Sequence, residues 1–236
     1  MASSFMSPFI CGTRNLISQG FRSLPVLLGG AILFLGMTQA NINLLFFFVG
    51  LCILAPTSAM LLNILWEYVF SNTPSFLTVP PVLWKLPDAT ADNCAIYTIG
   101  NTPLPIALNV VPSYWLVMML FFFTYLFKNA YTLYELQENS KAPAKSVSAR
   151  KSQSMTAMVV VVIVGIIITI MRYATGCETG LGVLASAILA YYMAHYWYVF
   201  MRQCGLGRLD DLFGIANRIL PEQSYEAPDP MVCAPS

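Results

Sequence analysis

Residues 158–172, MVVVVIVGIIITIMR, form a continuous apolar run that is not typical of a water-exposed helix. Further apolar runs begin near Leu24, Asn43, Trp115 and Leu181. A helix of about 20 apolar residues matches the hydrocarbon core of a bilayer, which is roughly 30 Å thick. We therefore predict an all-α polytopic protein, a transmembrane helical bundle of about five spans.

The composition supports a membrane protein. Hydrophobic residues make up 57% of the chain and charged residues only 10%, and the mean hydropathy is +0.66. Soluble domains carry about 25% charged residues. The net charge of +1 argues against nucleic acid as a partner. The six cysteines form no CxxC pair, so neither a zinc knuckle nor a thioredoxin-type site is indicated.

The five spans are predicted at residues 24–39, 44–70, 113–127, 156–173 and 181–202. The stretch from 24 to 70 is too long for one crossing at 1.5 Å per residue. A hairpin of two spans is favoured, and a re-entrant pair is the alternative.

Three residues of this first hairpin carry specific expectations. Gly29 and Gly30 predict a close approach between helices. Pro56 predicts a kink in the second span, because proline lacks the amide hydrogen of a helical hydrogen bond.

The chain divides into four predicted regions. They are an N-terminal segment with a transmembrane hairpin (1–70), a proline-rich extramembrane cap (71–112), a three-span region with a basic loop at 128–155 (113–202), and an amphipathic helix with a flexible tail (203–236).

The distribution of basic residues predicts the orientation. Lysines and arginines concentrate in the 128–155 loop and in the C-terminal tail, so both are expected on the cytosol-equivalent side. The first apolar run shows no clear cleavage site, and we interpret it as a retained anchor. Cys94 and Cys177 then lie together on the opposite side, where a disulfide between them is possible but not required.

The fifth span contains small residues at every fourth position: Gly182, Ser186, Ala190 and Ala194. Helices in lipid associate through such faces by close van der Waals contact. We expect this face to pack on the fourth span, where Gly165 is available, and a homo-oligomer is the alternative.

Three ionisable residues are candidates for polar or ion-pair roles. His195 is the one histidine of the chain and lies within the fifth span, where an ionisable group suggests function. It is expected to be a hydrogen-bonded structural residue, with a proton or headgroup role as the alternative. Arg172 and Glu178 flank a tight turn and are expected to pair, the alternative being an anion site on Arg172.

Two segments are candidates for contacts with lipid or with a partner protein. One is the basic loop, with Lys141, Lys145, Arg150 and Lys151. The other is the amphipathic tail helix, whose apolar face includes Leu209, Leu212 and Phe213. The tail helix either lies on the membrane surface or docks on a partner.

No catalytic signature is present. The sequence lacks GxxxxGK[ST], HExxH and a GxSxG triad, and its predicted spans hold no cluster of carboxylates. A single histidine does not make a usual metal site. We therefore expect no enzyme activity, no cofactor and no bound metal.

Several motifs in the second half of the chain carry a resemblance to a known group of proteins. They are RKSQ (150–153), RYATGCETGLG (172–182), HYWY (195–198) and DDLFGI (210–215), together with PSYW (112–115) and FKNAYTLY (127–134). Over about residues 112–216 they resemble multi-pass internal-membrane proteins of large DNA viruses of algae and protists, the nucleocytoplasmic large DNA viruses. The resemblance implies a component of the virion's internal membrane, beneath an icosahedral capsid.

These observations lead to one preferred function and two alternatives. The preferred function is structural: a viral membrane protein that anchors or organises the membrane beneath a protein shell, with lipids and other membrane or capsid proteins as partners. One alternative is a small transporter or channel using His195, Arg172 and Glu178. The other is an accessory subunit of a membrane complex in a protist organelle.

Overall fold

The computed structural model describes residues 3–72, 94, 111–135 and 144–204, without the side chains of 3–19, 70–72 and 144–146. Most of the predicted cap (73–93 and 95–110) and the predicted tail helix (from 205 on) lie outside the described residues.

The described part of the chain is helical and contains no β-strand. The elements are α1 (Ser3–Thr38), α2 (Ile42–Val49), a π-helical turn (Gly50–Leu54), α3 (Ala55–Asn72), α4 (Tyr114–Glu135), α5 (Ala144–Ala174) and α6 (Gly180–Gln203).

Five segments among the described residues are long and apolar enough to cross a membrane. They are Gly20–Thr38, Ile42–Val69, Tyr114–Glu135, Val147–Ala174 and Gly180–Gln203. The predicted number of spans and their approximate positions are confirmed for this part of the chain. The protein thus has the architecture of a multi-pass integral membrane protein.

The predicted basic loop at 128–155 is largely helical, which corrects the sequence interpretation. α4 continues to Glu135 and α5 already begins at Ala144, so only residues 136–143 of that loop lie outside the described helices. In α4 the Tyr131 hydroxyl donates a hydrogen bond to Glu135 one turn later, at 2.5 Å. Alanine and lysine also favour helix, which explains why polarity alone does not end either element here.

α1 and α2 form a hairpin, and each half belongs to its own membrane-length segment. The turn at Gln39–Asn41 includes Ala40 with a φ of 49°. A side chain at Gly29 would lie 2.5 Å from the Cys52 sulfur, whereas one at Gly30 would meet open space. Gly29 therefore permits the close approach expected of the glycine pair, and Gly30 does not contribute to it.

The helix of the second span changes its hydrogen-bond pattern immediately before Pro56. Because Pro56 has no amide hydrogen, it cannot donate to the carbonyl four residues earlier. The turn Gly50–Leu54 is π-helical, and the amide of Ala55 donates to the carbonyl of Gly50, five residues back. The break predicted at Pro56 thus takes the form of a π-helical turn.

α4 lies at the centre of the bundle and packs on α3, α5 and α6. The main core combines its buried face with residues of the second span and of α6: Leu44, Phe47, Leu51, Val117, Phe121, Tyr125, Ala190 and Ala194. α5 and α6 make little contact with each other. The expectation that the fourth and fifth spans pack together through the small-residue face is therefore wrong.

The reason for this pairing is the size of the α4 side chains. Phe121 and Tyr125 are bulky and fully or almost fully buried, and the small face of α6 provides room for them. Gly165 of α5 instead faces the ring of Phe123. A Cβ atom added at Gly165 would lie 3.6 Å from that ring, which is ordinary van der Waals contact. α4 consequently lies between α5 and α6, although only a short turn connects these two helices in the sequence.

Gly50→Ala is expected to destabilise the protein. A side chain at Gly50 would lie 2.5 Å from the indole nitrogen of Trp197, a contact that requires the indole ring or the helix to shift. Overpacking of this kind costs about 1–3 kcal/mol. The control is Gly30→Ala, which meets open space and which gains up to about 1 kcal/mol from higher helix propensity. Thermal unfolding in detergent compares the two, and equal stability of both variants contradicts the prediction.

Candidate functional site

A buried polar cluster lies where α4 begins, α5 ends and α6 begins. We call it the helix-end junction and define it by Ser113, Arg172, Cys177, Glu178 and Ser186, with Cys94 as its contact from the preceding segment. All six are buried. A charged side chain at such a position is costly unless it is paired and hydrogen-bonded.

Arg172 is the centre of the junction, because its guanidinium has three separate contacts. Its Nε donates to Glu178 Oε1 at 3.2 Å, and its Nη2 donates to the carbonyl oxygen of Cys94 at 2.7 Å. Its guanidinium carbon also lies 4.8 Å from the centre of the Trp115 ring, a cation–π contact. The arginine is only 4% exposed and is satisfied from three directions.

Glu178 connects the pair to α4 and, through Ser113, to α6. The hydroxyl of Ser113 donates to Glu178 Oε1 at 2.6 Å, and the amide of Ser113 donates to Ser186 Oγ at 2.9 Å. On the other side of α4, the Asn63 side chain donates to the carbonyl of Pro112 at 3.0 Å. The start of α4 is thereby fixed to both α3 and α6.

A disulfide joins Cys94 to Cys177, the residue before Glu178. It closes a loop over 83 residues of sequence and holds Cys94 beside Arg172, whose guanidinium binds the Cys94 carbonyl. A cross-link of this span restricts the unfolded chain by several kcal/mol in the chain-entropy account. The disulfide that the sequence left open is present.

The Glu178 carboxyl has an unusual protonation equilibrium. Burial raises its pKa from the ordinary 4.5 to about 7, although Arg172 and the hydrogen bond from Ser113 favour the charged form. Its second oxygen, Oε2, is buried without a hydrogen-bond partner in the described part of the chain. An unpartnered carboxylate oxygen disfavours ionisation, in agreement with the raised pKa.

The junction therefore has the geometry of a structural lock. The expected pairing of Arg172 with Glu178 is present, and the guanidinium faces a carboxylate, a carbonyl and an aromatic ring. Two of the guanidinium nitrogens, Nε and Nη2, are therefore already engaged, which disfavours the alternative anion site on Arg172. Trp115 is 1% exposed and lies beneath the arginine.

The four small residues of the fifth span are buried along one face of α6. They are Gly182, Ser186, Ala190 and Ala194. Ala190 and Ala194 belong to the main core with α4. Ser186 does more than leave space, because its hydroxyl accepts the hydrogen bond from the amide of Ser113.

His195 lies apart from the junction, in the second half of α6. Its ring is parallel to that of Tyr191, with centroids 6.3 Å apart, and edge-on to Tyr196 at 5.7 Å. Its Nδ1 is buried and has no hydrogen-bond partner within the described residues. The Lys128 ammonium also lies over the Tyr191 ring, 5.7 Å from the ring centroid.

The predicted contact residues are only partly described. Arg150 is 4% exposed and lies in α5, so it is not a solvated loop residue, and Lys151 is half-buried beside it. Lys145 is also in α5, but its side chain is not described. Lys141 and the apolar tail residues Leu209, Leu212 and Phe213 lie outside the described residues.

Sequence reasoning missed Ser113 and Lys128 as site residues, whereas Asn63 is expected from the sequence to bond across helices and does so. A serine beside a proline at the start of a span resembles an ordinary helix cap, and only folding brings it to Glu178. The charge of Lys128 predicts a place in the basic loop, whereas the structure places it in α4. One signal in the sequence indicates that α4 continues through Lys128. The residue lies one turn before Tyr131, in the same helical register as the aromatic residues.

Among the described residues, no three histidine, cysteine or acidic side chains come together in a way that could hold a metal ion. No protein-family model matches the chain, and it matches no curated protein and no solved structure.

The raised pKa of Glu178 predicts a pH-dependent stability. The folded state binds this proton more tightly than the unfolded state. The stabilisation that the protonated Glu178 carboxyl adds to the folded state is therefore complete below about pH 4.5 and is lost as the pH rises through about 7. We expect the unfolding temperature of the wild type to fall over this range relative to that of Glu178→Gln, whose amide does not titrate. Thermal unfolding in detergent at several pH values measures the difference, and parallel curves contradict the prediction.

Arg172→Gln is expected to lower the free energy of unfolding by about 3–5 kcal/mol, the usual loss when one partner of a buried ion pair is removed. The loss should be greater at pH 8 than at pH 5, because it leaves an ionised Glu178 without its cation. The control is Arg202→Gln in the last turn of α6, where an exposed arginine contributes less than about 1 kcal/mol. Denaturant unfolding measures the free energy of unfolding of both variants. An equal decrease in the two contradicts a stabilising role of the helix-end junction.

Proposed function

We propose that this protein is a structural integral membrane protein that organises a membrane and connects it to a protein layer. The observation that carries the proposal is that the polar groups of the helix-end junction bind one another. Arg172, Glu178 and Ser113 are engaged with one another, and the core beneath them consists of aliphatic and aromatic side chains such as Phe47 and Phe121. A rigid, cross-linked bundle of this kind suits a scaffold.

The proposed location is a viral internal membrane beneath a capsid. Its support is the resemblance of the motifs in residues 112–216, above all RYATGCETGLG, whose arginine, cysteine and glutamate belong to the helix-end junction. Capsid or other membrane proteins are the proposed partners, and a second copy of this chain is the alternative partner. The proposed activity is not enzymatic.

Extraction of purified virus particles with mild detergent tests this location. We expect the protein in the particles, released together with the membrane lipids and not before them. Absence from washed particles, or release by high salt without detergent, contradicts the assignment. An outer capsid protein and a known membrane lipid serve as markers for the two fractions.

We further propose that Cys94 and Cys177 lie on the side of an oxidising compartment, and that the 128–155 segment and the C-terminus lie on the cytosol-equivalent side. Disulfides persist in oxidising compartments. The Cys94–Cys177 bond therefore supports the same orientation as the distribution of basic residues. The two arguments are independent, since one uses redox chemistry and the other charge.

Labelling of sealed membranes with an impermeant maleimide tests the orientation. In a variant with serine at positions 11, 52 and 233, Cys204 is the exposed thiol at the end of α6. We expect Cys204 to react only from the cytosol-equivalent side. Cys94 and Cys177 should react only from the opposite side, and only after reduction with an impermeant phosphine. Labelling of all three from one side contradicts the proposed topology.

The alternative of a small transporter is favoured by one observation, the unpartnered Nδ1 of His195 within a membrane segment. Proteoliposomes separate the two functions. Proton or solute flux that is abolished by His195→Ala, but retained in Tyr196→Ala, supports transport. Vesicles that remain tight with the wild-type protein support the structural function.

A further inference from the structure

The separation of α5 from α6 leaves a groove on the lipid-facing side of the bundle. α4 forms its floor, α5 forms one wall, and Tyr191 of α6 stands on the other side. The groove has a volume of about 510 Å³. Its lining is mainly apolar and includes Leu120, Phe123, Phe127, Val162 and Ile166.

The groove has a charge at one end only. Lys128 is among its lining residues, and its ammonium lies against the Tyr191 ring, so that it stands between α4 and α6. Arg172, at the other end of α5, is fully engaged in the helix-end junction. An ammonium has three hydrogen-bond donors, and the contact with a ring face leaves them available for an anion.

The dimensions of the groove match one leaflet of a bilayer. From Leu120 to Lys128 the helix rises about 12 Å at 1.5 Å per residue. The half-thickness of the hydrocarbon core is about 15 Å. Tyr131 and Tyr134, both exposed, follow Lys128 within two turns and are typical of a membrane–water interface.

We propose that this groove binds one anionic glycerophospholipid, with an acyl chain lying between α5 and α6 and the phosphate on Lys128. Charge complementarity selects the occupant: the apolar lining matches an acyl chain, and a lone cation at the interfacial end matches an anionic headgroup. A long lysine stem reaches the headgroup level from within the apolar region. The lipid fills the space that α4 creates between its two neighbours, in the leaflet at the C-terminal end of α4.

Lipid binding in this groove goes beyond the proposed structural function and does not depend on that function. A bundle that holds an anionic lipid at a defined position selects the lipid composition of the leaflet around it. This consequence holds for any membrane in which the protein resides, so it is tested separately from the virion assignment.

Lipid retention tests the site directly. The full-length protein is reconstituted in an equimolar mixture of phosphatidylglycerol and phosphatidylcholine with identical acyl chains, extracted in mild detergent, and examined by native mass spectrometry. We expect one retained phosphatidylglycerol, at least fivefold preferred over phosphatidylcholine. Lys128→Gln should reduce this preference to near unity, and Lys128→Arg should keep it. The control Arg202→Gln removes one positive charge from an exposed side chain at the end of α6, outside the groove lining, and should change nothing.

A second pair of variants tests the acyl-chain position. Ile166 lines the groove and is 53% exposed, whereas its neighbour Ile167 is 49% exposed but is not part of the lining. Ile166→Trp should fill the groove and abolish retention of both lipids. Ile167→Trp should retain phosphatidylglycerol as the wild type does. Equal lipid retention in the two tryptophan variants overturns the proposal.

A photo-crosslinking amino acid at position 166 identifies the occupant in the otherwise native protein. We expect a product that is heavier by one phospholipid after irradiation in the same membranes. A cross-linked dimer of this chain instead shows that a second copy covers the groove and overturns the proposal. Equal retention of the two lipids by the wild type likewise overturns it, because the charge on Lys128 would then select nothing.

Discussion

The buried charge of Arg172 is the constraint on which the arrangement of the helices depends. A guanidinium at the end of a membrane span must find partners inside the protein, because unpaired burial of a charge is costly. Its partners are Glu178 in the turn before α6, the carbonyl of Cys94 and the ring of Trp115 on α4. Satisfying one side chain therefore brings three separate parts of the chain to a single point, and the disulfide at Cys177 holds them there.

The same point explains why α4, and not the next helix in sequence, is the neighbour of both α5 and α6. Ser113 bonds to Glu178 and to Ser186, so the start of α4 lies between the two helix ends that the short turn connects. Further along, the small face of α6 receives the bulky residues of α4, and Gly165 of α5 receives Phe123. A wedge of this kind keeps α5 and α6 apart and creates the lipid-facing groove with Lys128 at its end.

These features assign different tasks to the two ends of the bundle. The junction end is cross-linked and has its buried charges neutralised, and the raised pKa of Glu178 connects its stability to pH. The Lys128 end is open to lipid and carries an accessible cation among aromatic side chains. A rigid end and a lipid-binding end together are consistent with the proposed scaffold, which needs a fixed shape and a defined relation to the surrounding leaflet.

The sequence by itself determined the membrane class, the five spans and the pairing of Arg172 with Glu178, because hydrophobic length and short-range spacing are local properties. It left the Cys94–Cys177 bond open and gave the wrong partner for the small face of α6, since both depend on which helices meet in space. It also predicted a loop at Lys128, because the basic residues after position 127 are typical of a loop between spans, although residues 128–135 continue the helix. Only the tertiary structure decided these points, because contacts distant in sequence, such as Ser113 with Glu178, follow from how the whole bundle satisfies its buried polar groups.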